Sequence, residues 1–338
     1  MSQPTTKVTL ADVARLAGVG VGTASRALSG SARVAPETRA KVLEVADRLH
    51  YVVSPDAASL ASGRTGRVAL VVPHLSRWFF GEVAEGIHAG LRGADLDLLL
   101  YPVGAVQERA EFFERLPARR KVDAVIVVAF QVLEAERRRL ELMGVHIVAA
   151  GGQSAAYPYV RIDDYVAGRQ AMDHLLFLGH RRIAMLEARD PDQPDLDPPR
   201  SDAYVEALRE NGIEVDPELV VVGDWGGEQG AQGMSRLLSL RTPPTAVYAH
   251  SDEVALGAVR TIRRAGLDVP RDISVIGIDD HPLAALTDLT TVRQPAHEQG
   301  RRAAEMLIGL LRGDPGVDES VTLPTELVVR GSTAPPRG

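Results

Sequence analysis

The 338-residue chain contains no cysteine. That excludes a disulfide framework, a thiolate metal site and a thiol nucleophile. Aromatic residues are sparse, at 4%, so the consecutive Trp78, Phe79 and Phe80 are a local concentration. No apolar run approaches the ~20 residues that a membrane span needs. The opening MSQPTTKVTL has no apolar signal core, and a cytoplasmic location is the expectation. Catalytic signatures are missing as well. His297-Glu298 begins like a zinc-protease helix, but Arg301 stands where the second His belongs. The glycine-rich GDWGGEQGAQG (223–233) fits neither a P-loop nor GxGxxG and reads as a loop-to-helix junction. No GxSxG occurs. The nine histidines show no metal-ligand spacing, so no metal or cofactor is expected.

What is present divides the chain in two. Net charge is −7, yet residues 1–67 carry +4 and the remainder −11. A basic module on an acidic body suits one region touching phosphates while the rest stays clear of them. Within that module, TLADVARLAGVGVGTASRALSG (9–30) reads as helix, tight glycine turn, helix, the wedge that enters the major groove of DNA. Thr9 with Asp12 three residues on is a capping-box pattern. Val13, Leu16 and Ala17 supply an apolar face, and Gly18 a stop. The second helix opens at Gly20 and turns Ala24, Ala27 and Leu28 inward. A third starts at Pro36 and runs to about Leu49, with Val42, Val45, Ala46 and Leu49 as its buried stripe.

The outer face of the second helix carries Thr23, Ser25 and Arg26. Small hydroxyls suit phosphates and base edges, and a guanidinium can reach guanine with two bonds. From pattern alone, a three-helix bundle with a solvated polar face is the alternative. SPDAASLASG (54–63) has helix caps at both ends but is too short for an isolated helix. It reads as a flexible linker, or as a hinge that folds when paired on DNA and wedges Leu60 into a minor-groove step.

Beyond residue 67, apolar runs at 68–73, 96–103, 124–129 and 147–151 alternate with helical stretches. A second series follows at 183–186, 220–223, 246–249 and 275–278. Alternation of this kind predicts parallel sheets of βαβ units, and two series predict two similar lobes. Ligands then bind at the carboxyl ends of the strands, in the cleft between the lobes. Asp279 and Asp280 follow one such strand; paired carboxylates serve as general acid and base or accept sugar hydroxyls. Arg200 follows a loop rich in Pro and Asp, where it clamps a hydroxyl pair or carboxylate or stands as a surface cation at a helix start. Arg77, Trp78 and Phe80 are expected at the cleft, because aromatic faces stack on the CH faces of pyranose rings or on bases. Packing of a strand–helix junction is the alternative for them.

Several segments, in order, resemble the lactose-repressor (LacI/GalR) family: VTLADVARLAGV, TASRAL, RVAPETRAKVLEVADRLHY, SGRTGRVALVVP, HLLFLGHRRIAML, SDEVALGAVR, ISVIGIDDHPLA and LTTVRQP. The resemblance implies an α/β chain with an N-terminal all-α helix-turn-helix headpiece (1–53), a hinge (54–66) and an effector-binding and dimerisation domain (67–338). That domain is a periplasmic-binding-protein-like core of parallel βαβ sheets. Its N-lobe covers about 67–163 and 294–322 and its C-lobe about 164–293 and 323–338, with crossovers near Asp163, Arg293 and Leu323. By the same resemblance, Thr9, Ser25, Arg33 and Thr38 approach phosphates, Arg26 contacts bases and Leu60 intercalates. Arg200 and Asp279 become effector ligands, and Ser251 and Gln294 align with pocket positions.

Two departures qualify the match. The recognition helix opens with Gly20, Val21 and Gly22 where the family has Ser and two larger readers. Val21 and Gly22 thus fall at reading positions, but the operator cannot be borrowed from relatives. Val53 and Ser54 replace the usual Pro-Asn before the hinge. The functional expectation is a homodimeric repressor on a pseudo-palindromic double-stranded operator, its affinity controlled by a small sugar. SRWFFGEVAEGI and IDDHPLA are similar to actinobacterial members answering to gluco-oligosaccharides, which makes a maltose- or cellobiose-type sugar the first expectation. A purine or phosphosugar is the alternative within the family. A sugar-binding receptor, or a sugar-processing enzyme using Asp279 and Asp280, is the alternative outside it.

Overall fold

A computed structural model describes residues 8–29, 33–51, 64–104, 106–129, 132–152, 157–189 and 199–337. Leu60 and most of the expected hinge lie outside the described residues. The chain divides into two compact units, residues 1–67 with 119–123 and the remainder.

The first unit contains α1 (Leu10–Ala17), α2 (Val21–Leu28) and α3 (Pro36–Arg48). Thr9 caps α1 reciprocally: its hydroxyl accepts the Asp12 N–H at 3.3 Å, and its own N–H donates to the Asp12 carboxylate at 3.1 Å. Two otherwise orphaned backbone donors are thereby satisfied. Gly18 ends the helix in the left-handed region, at φ 67°, a conformation that side-chain-bearing residues resist. The core is made of small groups: Val13, Ala14, Ala17, Ala24, Ala27, Val42, Val45 and Ala46. Leu16, expected on the inner face, is 43% exposed, and Ala14 is buried in its stead. With α2 and α3 both packed on an eight-residue helix, the small Ala14 admits a closer crossing than Leu16 would, and the buried stripe shifts accordingly.

The second unit is a pair of lobes. The first lobe runs through β1 (Arg67–Val72), α4 (Trp78–Leu91), β2 (Asp97–Pro102), α5 (Val106–Arg115), β3 (Ala124–Val128), α6 (Glu134–Glu141), β4 (His146–Ala150) and β5 (Tyr159–Ile162). The second begins with α7 (Asp164–Phe177), β6 (Ile183–Ala188), α8 (Pro199–Glu210) and β7 (Val220–Gly223). It continues through α9 (Gly227–Leu238), β8 (Ala246–Ala249), α10 (Asp252–Arg264), β9 (Ser274–Asp279), α11 (Pro282–Thr287) and β10 (Thr290–Arg293). The chain then returns to the first lobe with α12 (Ala296–Arg312) and β11 (Ser320–Leu323), and ends in the second with β12 (Glu326–Val328).

The strand orders are β11-β5-β4-β3-β1-β2 and β12-β10-β9-β8-β6-β7. β10 and β12 pair antiparallel, whereas the inner strands of both sheets pair parallel. The chain therefore passes between lobes at Asp163, at 294–295 and at 324–325. Strands such as β3, buried at every position, are covered on both faces. In the second sheet Ala184 and Leu186 join one core, while Ile183 and Met185 join the other, as expected of a sheet sandwiched between helices.

Each lobe locks one helix pair with glycine. A Cβ on Gly86 of α4 would lie 1.9 Å from the His297 carbonyl, and one on Gly300 of α12 would lie 2.1 Å from that of Val83. Gly230 and Gly257 play the same part between α9 and α10. The first pair seats the returning α12 on α4, so the N-lobe is complete only once the chain has come back from the C-lobe. Among the described residues no helix is long and apolar enough to cross a membrane.

Candidate functional site

On the first unit, α2 presents Val21, 50% exposed, with Gly22 and Arg26 also exposed and Thr23 and Ser25 half-buried. Two spots on this surface carry no side chain. Gly20 has open space where a Cβ would stand, and the nearest atom to a Cβ on Gly22 would be Arg26 Nη2 at 4.0 Å. Among the described residues the Arg26 guanidinium takes no hydrogen bond or ion pair. Arg33 is exposed and Thr38 half-buried. The Thr9 hydroxyl is engaged with Asp12 Oδ2 at 2.7 Å. Hydrogen bonds from the Thr9 side chain, then its backbone, then Arg15, hold Asp12 down at about 2, so its charge persists beside the positive end of α1.

The second unit gathers charge at the carboxyl ends of the C-lobe strands. Arg200, in the first turn of α8, is 8% exposed. Its Nε and Nη2 donate to Asp164 Oδ1 at 2.8 and 2.7 Å, and Nη1 donates to the His250 carbonyl. Asp279 ends β9 and is 6% exposed. Gln294, buried at the second crossover, donates Nε2 to Asp279 Oδ1 at 2.6 Å and accepts Gln299 Nε2 at 3.1 Å. This amide chain ties the end of a C-lobe strand to α12 of the N-lobe.

Asp252, the first residue of α10, is wholly buried. It accepts the Thr291 hydroxyl at 2.6 Å and the His281 N–H at 2.8 Å. Burial pushes both Asp252 and Asp279 upward, and the charge of Asp252 adds to the effect on Asp279, against the pull of Arg200 and Gln294. Asp280 goes the other way despite burial, held down by Arg330 and Arg293 at 2.5 and 2.7 Å. The adjacent carboxylates therefore have separate jobs. Asp280 is spent on internal ion pairs, whereas Asp279 is held by neutral donors, the Gln294 amide and the Asp252 backbone.

From the N-lobe, Arg77 and Trp78 reach the C-lobe. Arg77 Nη2 meets Asp224 Oδ1 at 3.0 Å, and Nη1 donates to the Trp225 carbonyl. The Trp78 ring lies 5.3 Å from that of His281. Phe80 packs with the N-lobe core, 5.5 Å from Phe79 and 6.1 Å from His74 between ring centroids. Ser251 caps α10, its hydroxyl accepting the Val254 N–H at 3.3 Å. The structure thus brings Arg200, Asp279 and Gln294 together, sets Arg77 and Trp78 across the lobes, and gives Phe80 and Ser251 packing and capping contacts. Asp164, Asp224, Trp225, Asp252 and His281 were not anticipated from sequence. The one available signal was their position just after a strand or at a helix start. Among the described residues no His, Cys, Asp and Glu cluster could hold a metal ion.

Comparison with known proteins follows this division. Residues 9–54 match the family described as bacterial regulatory proteins, lacI family, and residues 172–333 match a periplasmic binding protein-like domain. The HTH-type transcriptional repressor CytR of Escherichia coli K12 is 33% identical over 97% of both chains. The HTH-type transcriptional regulator CelR of Thermobifida fusca is 35% identical over 96% of this chain and 98% of that one. Among solved structures, a CelR–cellobiose complex superposes with TM-score 0.71 at 33% identity, covering 96% of this chain and 99% of that one. The lac repressor dimer bound to operator and the anti-inducer ONPF reaches TM-score 0.83 at 26% identity, covering 97% and 99%.

Proposed function

The chain belongs to the lacI family of bacterial regulatory proteins, and we propose that it is a cytoplasmic, homodimeric repressor whose operator affinity is set by a neutral oligosaccharide in its interlobe cleft. The observation that carries the effector reading is the buried set Arg200, Asp279 and Gln294 at the carboxyl ends of the C-lobe strands. A fixed cation, a carboxylate acceptor and an amide in a closed site match hydroxyl groups, which donate and accept together. Arg200 is already paired with Asp164, which leaves the set no free cation to hold a phosphate and argues against a phosphosugar. The similarity to CelR, whose solved complex holds cellobiose, supports a gluco-oligosaccharide.

In the headpiece, Arg26 reads bases, Val21 and Gly22 line the groove, Thr23 faces base edges or backbone, and Thr9, Ser25, Arg33 and Thr38 approach phosphates. Two copies of such a unit fit a pseudo-palindromic site. The protein acts by binding and not by turnover: Asp280 is occupied by two arginines, and Asp252, the other carboxylate beside Asp279, is wholly buried and engaged by Thr291 and the His281 N–H.

Fluorescence anisotropy on the protein's own upstream DNA, titrated with cellobiose, maltose and their monosaccharides, tests this reading. Release by one disaccharide is the expected outcome. Tight DNA binding unmoved by every sugar would overturn the effector assignment, and hydrolysis of the sugar would overturn the non-enzymatic one.

A further inference from the structure

Arg77 and Trp78 meet the C-lobe at two separate loops. The contact at Asp224 and Trp225 has a second side. Trp225's carbonyl accepts Arg77, while its ring lies 5.9 Å from the guanidinium carbon of Arg200. A single three-residue turn between β7 and α9 therefore touches the opposite lobe with its backbone and carboxylate, and faces the proposed effector ligand with its indole. Asp224 is fixed within that turn, its Oδ1 accepting the Trp225 N–H at 2.6 Å as well as Arg77. Arg77 is largely buried in this contact, whereas Asp224 stays half-exposed.

We infer that the Asp224–Trp225 turn is the positioning element of the effector response: it clasps Arg77 of the facing lobe and, through the Trp225 ring, registers what Arg200 holds. Arg77 is on this view a lobe-closing residue and not an effector ligand. The clasp is made by the chain's own residues on both lobes, so it sets the fraction of molecules already closed when an effector arrives. Apparent effector affinity scales with that fraction. An occupant of the cleft that engages Arg200 shifts the indole seated over it, and the shift passes one residue along the backbone to the Arg77 contact. The second contact, Trp78 on His281, closes with it: Nδ1 of His281 accepts the Leu283 N–H at 3.0 Å, which fixes the ring that Trp78 rests on.

The chain's two tryptophans are both in these contacts, so intrinsic fluorescence reads the clasp directly. The inference rests on the cleft being the effector site, but its first readout needs no effector. In the full-length, ligand-free protein, Asp224→Ala and Arg77→Ala are expected to shift tryptophan emission to the red. In a Trp78→Phe background the shift should persist, because Trp225 alone then reports. The double variant should shift no further than Arg77→Ala alone, the non-additivity expected of direct partners.

With whichever sugar the wild type binds, Arg77→Ala, which loses the ion pair and the charge-assisted hydrogen bond to the Trp225 carbonyl, should weaken binding about tenfold, and Asp224→Ala, which keeps the second, by less. Arg77→Lys, which keeps the charge but cannot span both acceptors, should fall between. Unchanged ligand-free emission, or additive shifts in the double variant, would overturn the clasp. If the wild type binds no sugar while the emission shifts occur as expected, the effector reading fails and the clasp stands.

Discussion

On α2 the arginine expected to read bases is exposed and, among the described residues, unpartnered, beside a valine 50% exposed and a glycine that leaves the surface bare. In the C-lobe the arginine expected to bind the effector is 8% exposed and already engaged by Asp164 and a backbone carbonyl. The first arrangement leaves desolvation and ordering to be supplied by the DNA, so its contacts set affinity and salt dependence. The second has met those costs in folding, so its groups are pre-organised and their removal costs stability as well as binding. Placement, and not residue type, makes the two arginines different instruments.

The largest effect should come from breaking the buried arrangement. Arg200→Met leaves the Asp164 carboxylate without its partner in a site only 16% exposed. Loss of one member of a buried pair costs about 3–5 kcal/mol, and chemical denaturation should show it as a lowered midpoint with unchanged slope. A variant as stable as wild type would mean that Asp164 finds solvent and that the site is not pre-organised. Arg26→Ala on the exposed side should leave the denaturation curve alone. It should cost about 1–3 kcal/mol in operator binding, seen in anisotropy as a tenfold or greater rise in Kd. A matching loss of stability would erase the contrast.

How much of this was legible in the sequence follows the same line. The long strands declared themselves through apolar runs, and the capping box at Thr9 through spacing alone. The short strands at the crossovers, β5, β10, β11 and β12, did not, because three or four residues there carry no periodicity and the edge strands β11 and β12 pair only once the chain has returned. Leu16 was misplaced because helical spacing names a stripe but not which neighbour defines its centre. In the cleft, Arg200 and Asp279 stood out by following strand or loop signals and by family resemblance. Asp164 and Asp224 did not, since their partners lie 36 and 147 residues away. An isolated Asp at a helix start reads equally well as a cap, and Asp163 beside Asp164 is one. Glycine-rich 223–233 read as a plain junction because the role of Trp225 depends on a ring meeting Arg200, a contact that only the folded sheet creates.

A pH titration sharpens the comparison from inside the cleft. His250, wholly buried, is pushed down to about 3 by burial and then by the charge of Arg200. The unfolded chain titrates near 6.5, so it binds more protons than the folded one below that pH, and stability falls as pH drops from 6.5 towards 3. At pH 5 the loss relative to pH 7.5 is about 2 kcal/mol. Asp279, pushed upward, has the opposite sign: its burial cost is relieved as pH falls. The difference between wild type and His250→Leu therefore isolates the histidine, and urea melts at both pH values should show the variant losing less. Equal losses would place His250 in contact with water.

The smallest effect tests the one residue that belongs to both halves of the comparison. Thr9 is expected at a phosphate, yet its hydroxyl is occupied by Asp12 and its backbone by the same carboxylate. Thr9→Ala removes the cap and should lower headpiece stability by about 1 kcal/mol. Thr9→Ser keeps an oxygen in the capping position and should restore it. If Thr9 serves DNA only by holding α1, operator affinity will track headpiece stability through both variants. If the hydroxyl also reaches a phosphate, Thr9→Ala will weaken binding even where the headpiece is fully folded, with no change in the salt slope, because a neutral donor releases no counterion. The two outcomes separate a residue that shapes the reading face from one that is part of it.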